Sequence, residues 1–234
     1  SDEQSLLNAT LSDQNEKLES LSVKLSKYLS PQVYESIFSG KAEVRVGADR
    51  KFLTVFFSDI ASFTEITDQL EPEILTELLT HYLTEMSKIA IRWGGTIDKF
   101  IGDAIMAVFG APLPSKNDAE NAVQTAVEML RVLDRLNQNR LKQGEPHISI
   151  GIGLNTGEVL SGNIGSSKRM DYTVIGDAVN VASRICDACK ETNAQILISD
   201  AVKSQLNEEI TSQKIKDFSI RGRKKLMDLH KIVL

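Results

Sequence analysis

Residues Thr96 to Gly110 read TIDKFIGDAIMAVFG. Two apolar runs flank Ile101-Gly102-Asp103, the pattern of a β-hairpin closed by a tight turn. The turn carries a carboxylate, Asp103, and a cation, Lys99, precedes it by four residues. Upstream, the apolar run LTVFFSD leads straight into a second carboxylate, Asp59. Two aspartates at adjacent strand ends make a cradle of hard oxygen ligands. Such a cradle suits Mg²⁺ or Mn²⁺ and the nucleotide phosphate such ions carry.

Outward from this hairpin the periodicity alternates between strand and helix. KFLTVFFSDI (51–60) is apolar almost throughout, as in a strand buried on both faces. Residues 61–93 read as one helix, with Leu75, Leu78, Leu79, Tyr82, Leu83, Met86, Ile89 and Ala90 at helical spacing, ended by Gly94-Gly95. Asn117 or Asp118 caps a second long helix running to about 142. HISIGIGLNTGEVLSGNIG (147–165) alternates and contains glycines, so it reads as a hairpin. MDYTVIGDAVNVASRICDACK (170–190) is a short strand and then a helix, AQILIS a strand, DAVKSQL a short helix, and two strands close the chain. The order β-α-β-β-α-β with additions is the split βαβ, or ferredoxin-like, plan. The expected fold class is therefore α+β, with additional strands and helices.

A separate element precedes this core. Leu7, Leu11, Gln14, Leu18, Leu21, Leu25 and Tyr28 follow a 4-3-4-3-4-3 spacing. So narrow a seam suits a coiled coil, and Gln14 is a polar residue of the kind that sets register. The competing reading is an amphipathic helix lying on its own domain. Ser30-Pro31 breaks the helix, PQVYESIFSG (31–40) forms a short second one, and the polar stretch KAEVRVGADR (41–50) leads into the core.

The totals narrow the function classes. The chain has 234 residues, 41% hydrophobic and 25% charged, which is ordinary for a soluble globular protein. A net charge of −5 argues against non-specific nucleic-acid binding, which needs a cationic surface. No run approaches the ~20 apolar residues that cross a bilayer, and the polar start SDEQ is unlike a signal peptide. The first residue is not Met and the chain starts inside a helical repeat, so the expectation is a piece of a longer protein, in which any targeting or membrane segment would lie outside this stretch. Cys186 and Cys189 form Cys-x-x-Cys, but His81, His147 and His230 are scattered and the pair falls late in a helix. Reduced thiols packed on a helix face are expected, in keeping with a cytoplasmic location.

Two further groups bear on chemistry. In FFSDIASFTEIT (56–67), Ser62, Phe63 and Thr64 lie where a helix begins, beside Asp59. Free N–H groups there favour an anion such as a triphosphate; alternatively Ser62 is an N-cap only. In GDAVNVASRI, Asn180 and Arg184 are four apart and share one helix face. An asparagine can orient an oxygen, and an arginine can meet charge building on a phosphoryl group, but spacing alone fits an exposed pair equally well.

Together FFSDIASFT (56–64), DKFIGDAIMAVFGAP (98–112) and DYTVIGDAVNVASRI (171–185) resemble the catalytic domain of class III nucleotidyl cyclases, and YLSPQVYESI (28–37) looks like that family's lead-in from a regulatory module. The resemblance covers about residues 46–234. With the heptad before it, two domains are expected, a coiled-coil stalk with linker helix over 1–45 and a cyclase catalytic domain over 46–234. The resemblance is to the catalytic domain. It implies conversion of ATP to cyclic AMP and pyrophosphate with two divalent metal ions, Mg²⁺ or Mn²⁺. Asp59 and Asp103 match the metal-binding aspartates and the carbonyl of Ile60 a backbone ligand. One ion would help activate the ribose 3′-hydroxyl while the other holds the triphosphate. Asn180 matches the ribose-positioning residue, Arg184 the one that meets the α-phosphate, and Lys99 and Thr173 the base-reading pair. Near the C-terminus, SIRGRKKLMDL departs from the family's phosphate-binding lysine, leaving Arg223 as the nearest counterpart, with Arg221 the other choice. The resemblance further implies a homodimer with sites between chains, one chain supplying the aspartates and base readers and the other Asn180 and Arg184, and an upstream sensor acting through the stalk.

The base preference has a physical basis. Adenine N1 accepts a hydrogen bond and Lys99 only donates, whereas guanine N1 carries a hydrogen. A buried mismatch costs about 1–3 kcal/mol, roughly a ten- to hundred-fold preference. The hydroxyl of Thr173 can accept from the adenine amino group but can also turn to donate. A guanylyl cyclase, or a catalytically silent cyclase-like signalling domain, are the alternatives. Lys99 opposes the first, and the presence of Asp59, Asp103, Asn180 and Arg184 together opposes the second.

Overall fold

A computed structural model describes residues 2–40 and 46–234, and the chain divides into two compact units, Ser1–Val44 and Arg45–Leu234. The first unit holds α1 (Asp2–Leu25) and α2 (Pro31–Phe38). Pro31 stands in the first turn of α2, where its missing N–H costs nothing. Leu7, Leu11, Leu18, Leu21 and Leu25 are all exposed along α1. Of the polar linker, residues 41–45 lie outside the described residues.

The second unit contains β1 (Gly47–Ile60), α3 (Phe63–Thr67), α4 (Pro72–Arg92), β2 (Thr96–Ile101), β3 (Ala104–Phe109), α5 (Asp118–Lys142), β4 (Ile150–Gly165), β5 (Met170–Ile175), α6 (Asp177–Thr192), β6 (Ile196–Ser199), α7 (Asp200–Lys203), β7 (Ser212–Phe218) and β8 (Met227–Ile232). The strands make one eight-stranded sheet in the order β2-β3-β1-β4-β6-β8-β7, with β5 paired to the outer part of β4. The segment β2-β3-β1-β4, with α4 and α5, is the expected split βαβ core. The fold is mixed α+β. Among the described residues no helix is long and apolar enough to cross a membrane.

The central strand β1 is buried on both faces, as its apolar run predicts. Phe56 and Ile60 face α4 and α5, packing with Tyr82, Met86, Ile89, Val123, Ala126 and Leu130. Leu53, Val55 and Phe57 face the other way, toward Ala178, Ala182 and Cys186 of α6. The sheet is thus covered on both sides, and the end of β1 emerges at one rim.

Two elements differ from the periodicity. Residues 61–93 are not one helix: the chain makes the five-residue α3, breaks, and restarts at Pro72, which sits in the first turn of α4. Apolar spacing continues across the break, but proline has no N–H to donate within a helix interior, so Pro72 starts a new helix. Residues 147–165 are not a hairpin either. From Ile150 they form one sixteen-residue strand, β4, which pairs along its length with β1. Its glycines are not turns. Ile150, Ile152 and Leu154 point into the α4–α5 core, while Gly151, Gly153 and Gly157 lie under α6. A Cβ on Gly153 would stand 2.2 Å from Cys186 N and 2.7 Å from Ala182 O, so α6 rests directly on the strand backbone. The amide of Asn155 donates to the Ala178 carbonyl at 3.0 Å and locks the same contact.

Gly153→Ala should therefore cost at least about 3 kcal/mol, the upper range for overpacking, because helix backbone cannot yield as a side chain can. The melting temperature should fall by roughly 6–12 °C. Thermal unfolding followed by circular dichroism reads this, and a wild-type melting temperature would refute the close approach.

Candidate active site

The register of the central strands brings the two aspartates together. β1 and β3 pair with Ser58 opposite Ile105, and β2 and β3 join through Gly102-Asp103, with Gly102 at φ +65°. This left-handed conformation is one glycine adopts without penalty. Asp103 therefore lands beside the end of β1, where the Ile60 N–H donates to Asp103 Oδ2 at 2.9 Å. The Asp59 and Asp103 carboxyls are close enough to share a proton in a hydrogen bond when one of them is protonated.

Partial burial, that hydrogen bond and the negative charges of Asp103 and Asp187 push the Asp59 carboxyl up to about 7. By surface area Asp59 is exposed, so its acidic neighbours are the firmer cause, and burial the weaker one. The crowding of negative charge is what a cation would relieve. Among the described residues no group of three His, Cys, Asp or Glu side chains could hold a metal ion. The two carboxylates therefore suit ions whose remaining ligands are backbone, water and phosphate oxygens, the usual company of Mg²⁺.

These residues open into a cleft of about 800 Å³ lined by Asp59 to Thr64, Asp103, Ser149 to Gly151 and the α6 side that carries Asp187 and Lys190. Ser62, Phe63 and Thr64 are on its wall. Ala61 N–H is taken by the Ser149 carbonyl, and Glu65 and Ile66 both donate to the Ser62 carbonyl. Ser62 stands at the N-cap position with φ 54° and makes no side-chain cap bond. A five-residue α3 sums few peptide dipoles, so the local N–H groups matter more than a macrodipole here. Cys186 and Cys189 are buried free thiols at the cleft floor, and burial, the main cause, pushes both thiols up, Cys189 to about 12. They are packed thiols, not a reactive pair.

Lys99 and Thr173 do not line that cleft. They meet elsewhere, Lys99 Nζ donating to Thr173 Oγ1 at 3.1 Å. β5 carries Thr173 and passes through Gly176 directly into α6, which carries Asn180, exposed, and Arg184, half-buried. A Cβ on Gly222 would lie 3.3 Å from an Arg184 guanidinium nitrogen, so the loop between β7 and β8 passes close to Arg184. In that loop Arg223 pairs with Asp177 at 3.1 Å. Within one chain the acids therefore stand apart from Lys99 and Thr173. The expectation that one chain supplies the aspartates and the base readers to the same site does not fit this arrangement.

Two acids escaped the sequence reading. Asp187 lies on α6 with no motif around it beyond Cys-x-x-Cys. Asp98 lies in DKFIGD next to Lys99, where strict strand alternation places the two side chains on opposite faces. In the structure they are on the same side.

Residues 42–232 match the family model for the adenylate and guanylate cyclase catalytic domain. An adenylate cyclase of Anabaena cylindrica is 36% identical over 216 residues, covering 89% of this chain; the chain spans 41% of that protein's length. The crystal structure of the adenylyl cyclase CyaB from P. aeruginosa is 41% identical, with a TM-score of 0.74 over 80% of this chain and 96% of that one. The crystal structure of the guanylyl cyclase Cya2 is 34% identical, with a TM-score of 0.73 over 80% and 94%. With its split βαβ core, paired rim aspartates and three motifs in place, this chain belongs to the adenylate and guanylate cyclase catalytic-domain family.

Proposed function

We propose that residues 46–234 form an adenylyl cyclase domain that converts ATP to cyclic AMP and pyrophosphate as a homodimer, with residues 1–45 as its coiled-coil stalk and linker. The observation that carries the substrate choice is the Lys99–Thr173 contact, a donor beside a hydroxyl in the arrangement an adenine edge needs. The relatives named adenylate cyclase support it; the similarity to a guanylyl cyclase keeps GTP as the rival.

The roles are those that the family resemblance implies. Asp59 and Asp103, with the carbonyl of Ile60, would hold two Mg²⁺ or Mn²⁺ ions, and Ser62, Phe63 and Thr64 would receive the triphosphate. Such ions, when bound, supply positive charge to the attacking and leaving oxygens. Lys99 and Thr173 read the base, Asn180 orients the ribose, and Arg184 meets charge at the α-phosphate, with Arg223 assisting once released from Asp177. Because the acids stand apart from Lys99 and Thr173 in one chain, a complete site takes the acids from one protomer and Lys99, Thr173, Asn180 and Arg184 from its partner. The exposed leucines of α1 form a seam through which a second copy would join in parallel, and an upstream sensor domain would act by changing the angle between catalytic domains. A cytoplasmic location fits the reduced thiols.

Turnover measured with ATP and with GTP, in Mg²⁺ and in Mn²⁺, across protein concentrations tests this reading. ATP should be preferred by about ten-fold or more, and specific activity should fall on dilution as dimers separate; a preference for GTP would sink the adenylyl assignment. Asp59→Ala and Arg184→Ala should each be inactive alone, yet a mixture should regain one working site per heterodimer. Inactive heterodimers would disprove the shared site.

Acid crowding also has a sign in pH. The folded Asp59 carboxyl titrates above its unfolded value of 3.8. Its contribution to stability is therefore complete below about pH 4 and lost as the pH rises through 7. In metal-free protein, wild type should lose stability relative to Asp59→Asn over that window, as read by urea midpoints. A difference that stays constant with pH would remove the crowding argument.

A further inference from the structure

The pairing of β2 with β3 shifts register between Ile97 and Lys99, so Asp98 is the extra residue of a β-bulge. The bulge breaks the alternation and turns Asp98 and Lys99 to the same side, toward Thr173 on β5. The Asp98 side chain is only 2% exposed, while that of Lys99 is 41% exposed. Asp98 Oδ2 accepts from the Thr173 hydroxyl at 2.7 Å and from the Val174 N–H at 3.3 Å. Asp98 Oδ1 lies 2.8 Å from Lys99 Nζ, an ion-pair contact whose angle does not make a hydrogen bond, so this oxygen is buried without one.

From this network we propose that Asp98 is a positioning residue that sets the base preference by fixing the direction of the Thr173 hydroxyl. The inference rests on the adenylyl reading above and extends it to a residue that does not touch the base. A hydroxyl has one hydrogen and two lone pairs, a carboxylate accepts only, and an ammonium donates only. The Thr173 hydrogen is committed to Asp98, and one lone pair receives Lys99. What remains on Thr173 is an acceptor, and on the solvent-open ammonium of Lys99 a donor. Side by side they complement the acceptor N1 and donor 6-amino group of adenine. Guanine presents the reverse order, a donor N1–H and an acceptor O6, and meets a mismatch at both points. Without the carboxylate, the Thr173 hydroxyl would be free to donate to O6, and half of the discrimination would vanish.

Asp98→Asn keeps the shape but offers an NH₂ that can donate to Thr173 Oγ1 and release its hydrogen. Steady-state kcat and KM for ATP, GTP and purine riboside triphosphate, which keeps N1 and lacks the 6-amino group, test this. Wild type should favour ATP over both. Asp98→Asn should narrow the ATP-to-GTP ratio of kcat/KM by about ten-fold, the size of one buried mismatch, chiefly through a higher KM for ATP. A merely structural role would lower all three substrates together. If wild type prefers ATP and a folded Asp98→Asn keeps the wild-type ratio, the inference is overturned while the adenylyl reading stands. If wild type prefers GTP, that reading fails and takes the inference with it. Should Asp98→Asn not fold, Thr173→Val decides: loss of the ATP preference over purine riboside triphosphate supports the hydroxyl as the amino-group acceptor, and an unchanged preference overturns it.

Discussion

The antiparallel pairing of β1 with β3 is the constraint on which the rest depends. It sets Ser58 against Ile105, so that the rim end of one strand and the two-residue turn of the next share one edge of the sheet. Asp103 then has nowhere to go but beside Ile60 and Asp59. A slip of one residue would turn every side chain of β1 to the other face. With Phe56 and Phe57 buried on opposite sides, such a slip would exchange the two cores. The apolar packing on both faces thus holds two acidic groups together at the rim, a crowding that a cation would relieve.

The second constraint is the close seating of α6 on β4. Gly151, Gly153 and Gly157 strip the strand of side chains where the helix lies, so the helix backbone rests on the strand backbone. That seating fixes the face of α6 that carries Asn180 and Arg184, and β5 leads straight into it. The two contacts divide the chemistry of one chain. Acids lie at the β1–β3 rim, whereas Lys99 and Thr173 meet where β2 lies against β5. On the reading proposed above, a division of this kind would make assembly of two chains a condition of activity.

Much of this was legible in the sequence because the signals were local. The β1 run, the hairpin around Gly102-Asp103, the start of α2 at Pro31 and the α5 boundaries depend on neighbouring residues, and periodicity reads them directly. The misread elements were those in which a residue's meaning came from a distant partner. Glycines in 147–165 look like turns until α6 is placed over them. Residues 61–93 look like one helix because apolar spacing survives the break before Pro72. Asp98 is the sharpest case. Its identity and its neighbour were in plain view, but alternation put it on the wrong side, since a bulge is a property of two paired strands and not of one.

The sequence by itself determined the order of elements, the α+β class, the family motifs and the identity of the acids, bases and polar groups available for chemistry. It did so because hydrophobic period, turn residues and motif spacing are encoded within short windows. Tertiary structure alone decided which of those groups meet. Asp59 meets Asp103 through strand register, and Thr173 meets Asp98 and Lys99, 75 and 74 residues before it, through a bulge. The hydrogen of a hydroxyl follows its nearest acceptor, and only the folded chain says which acceptor that is.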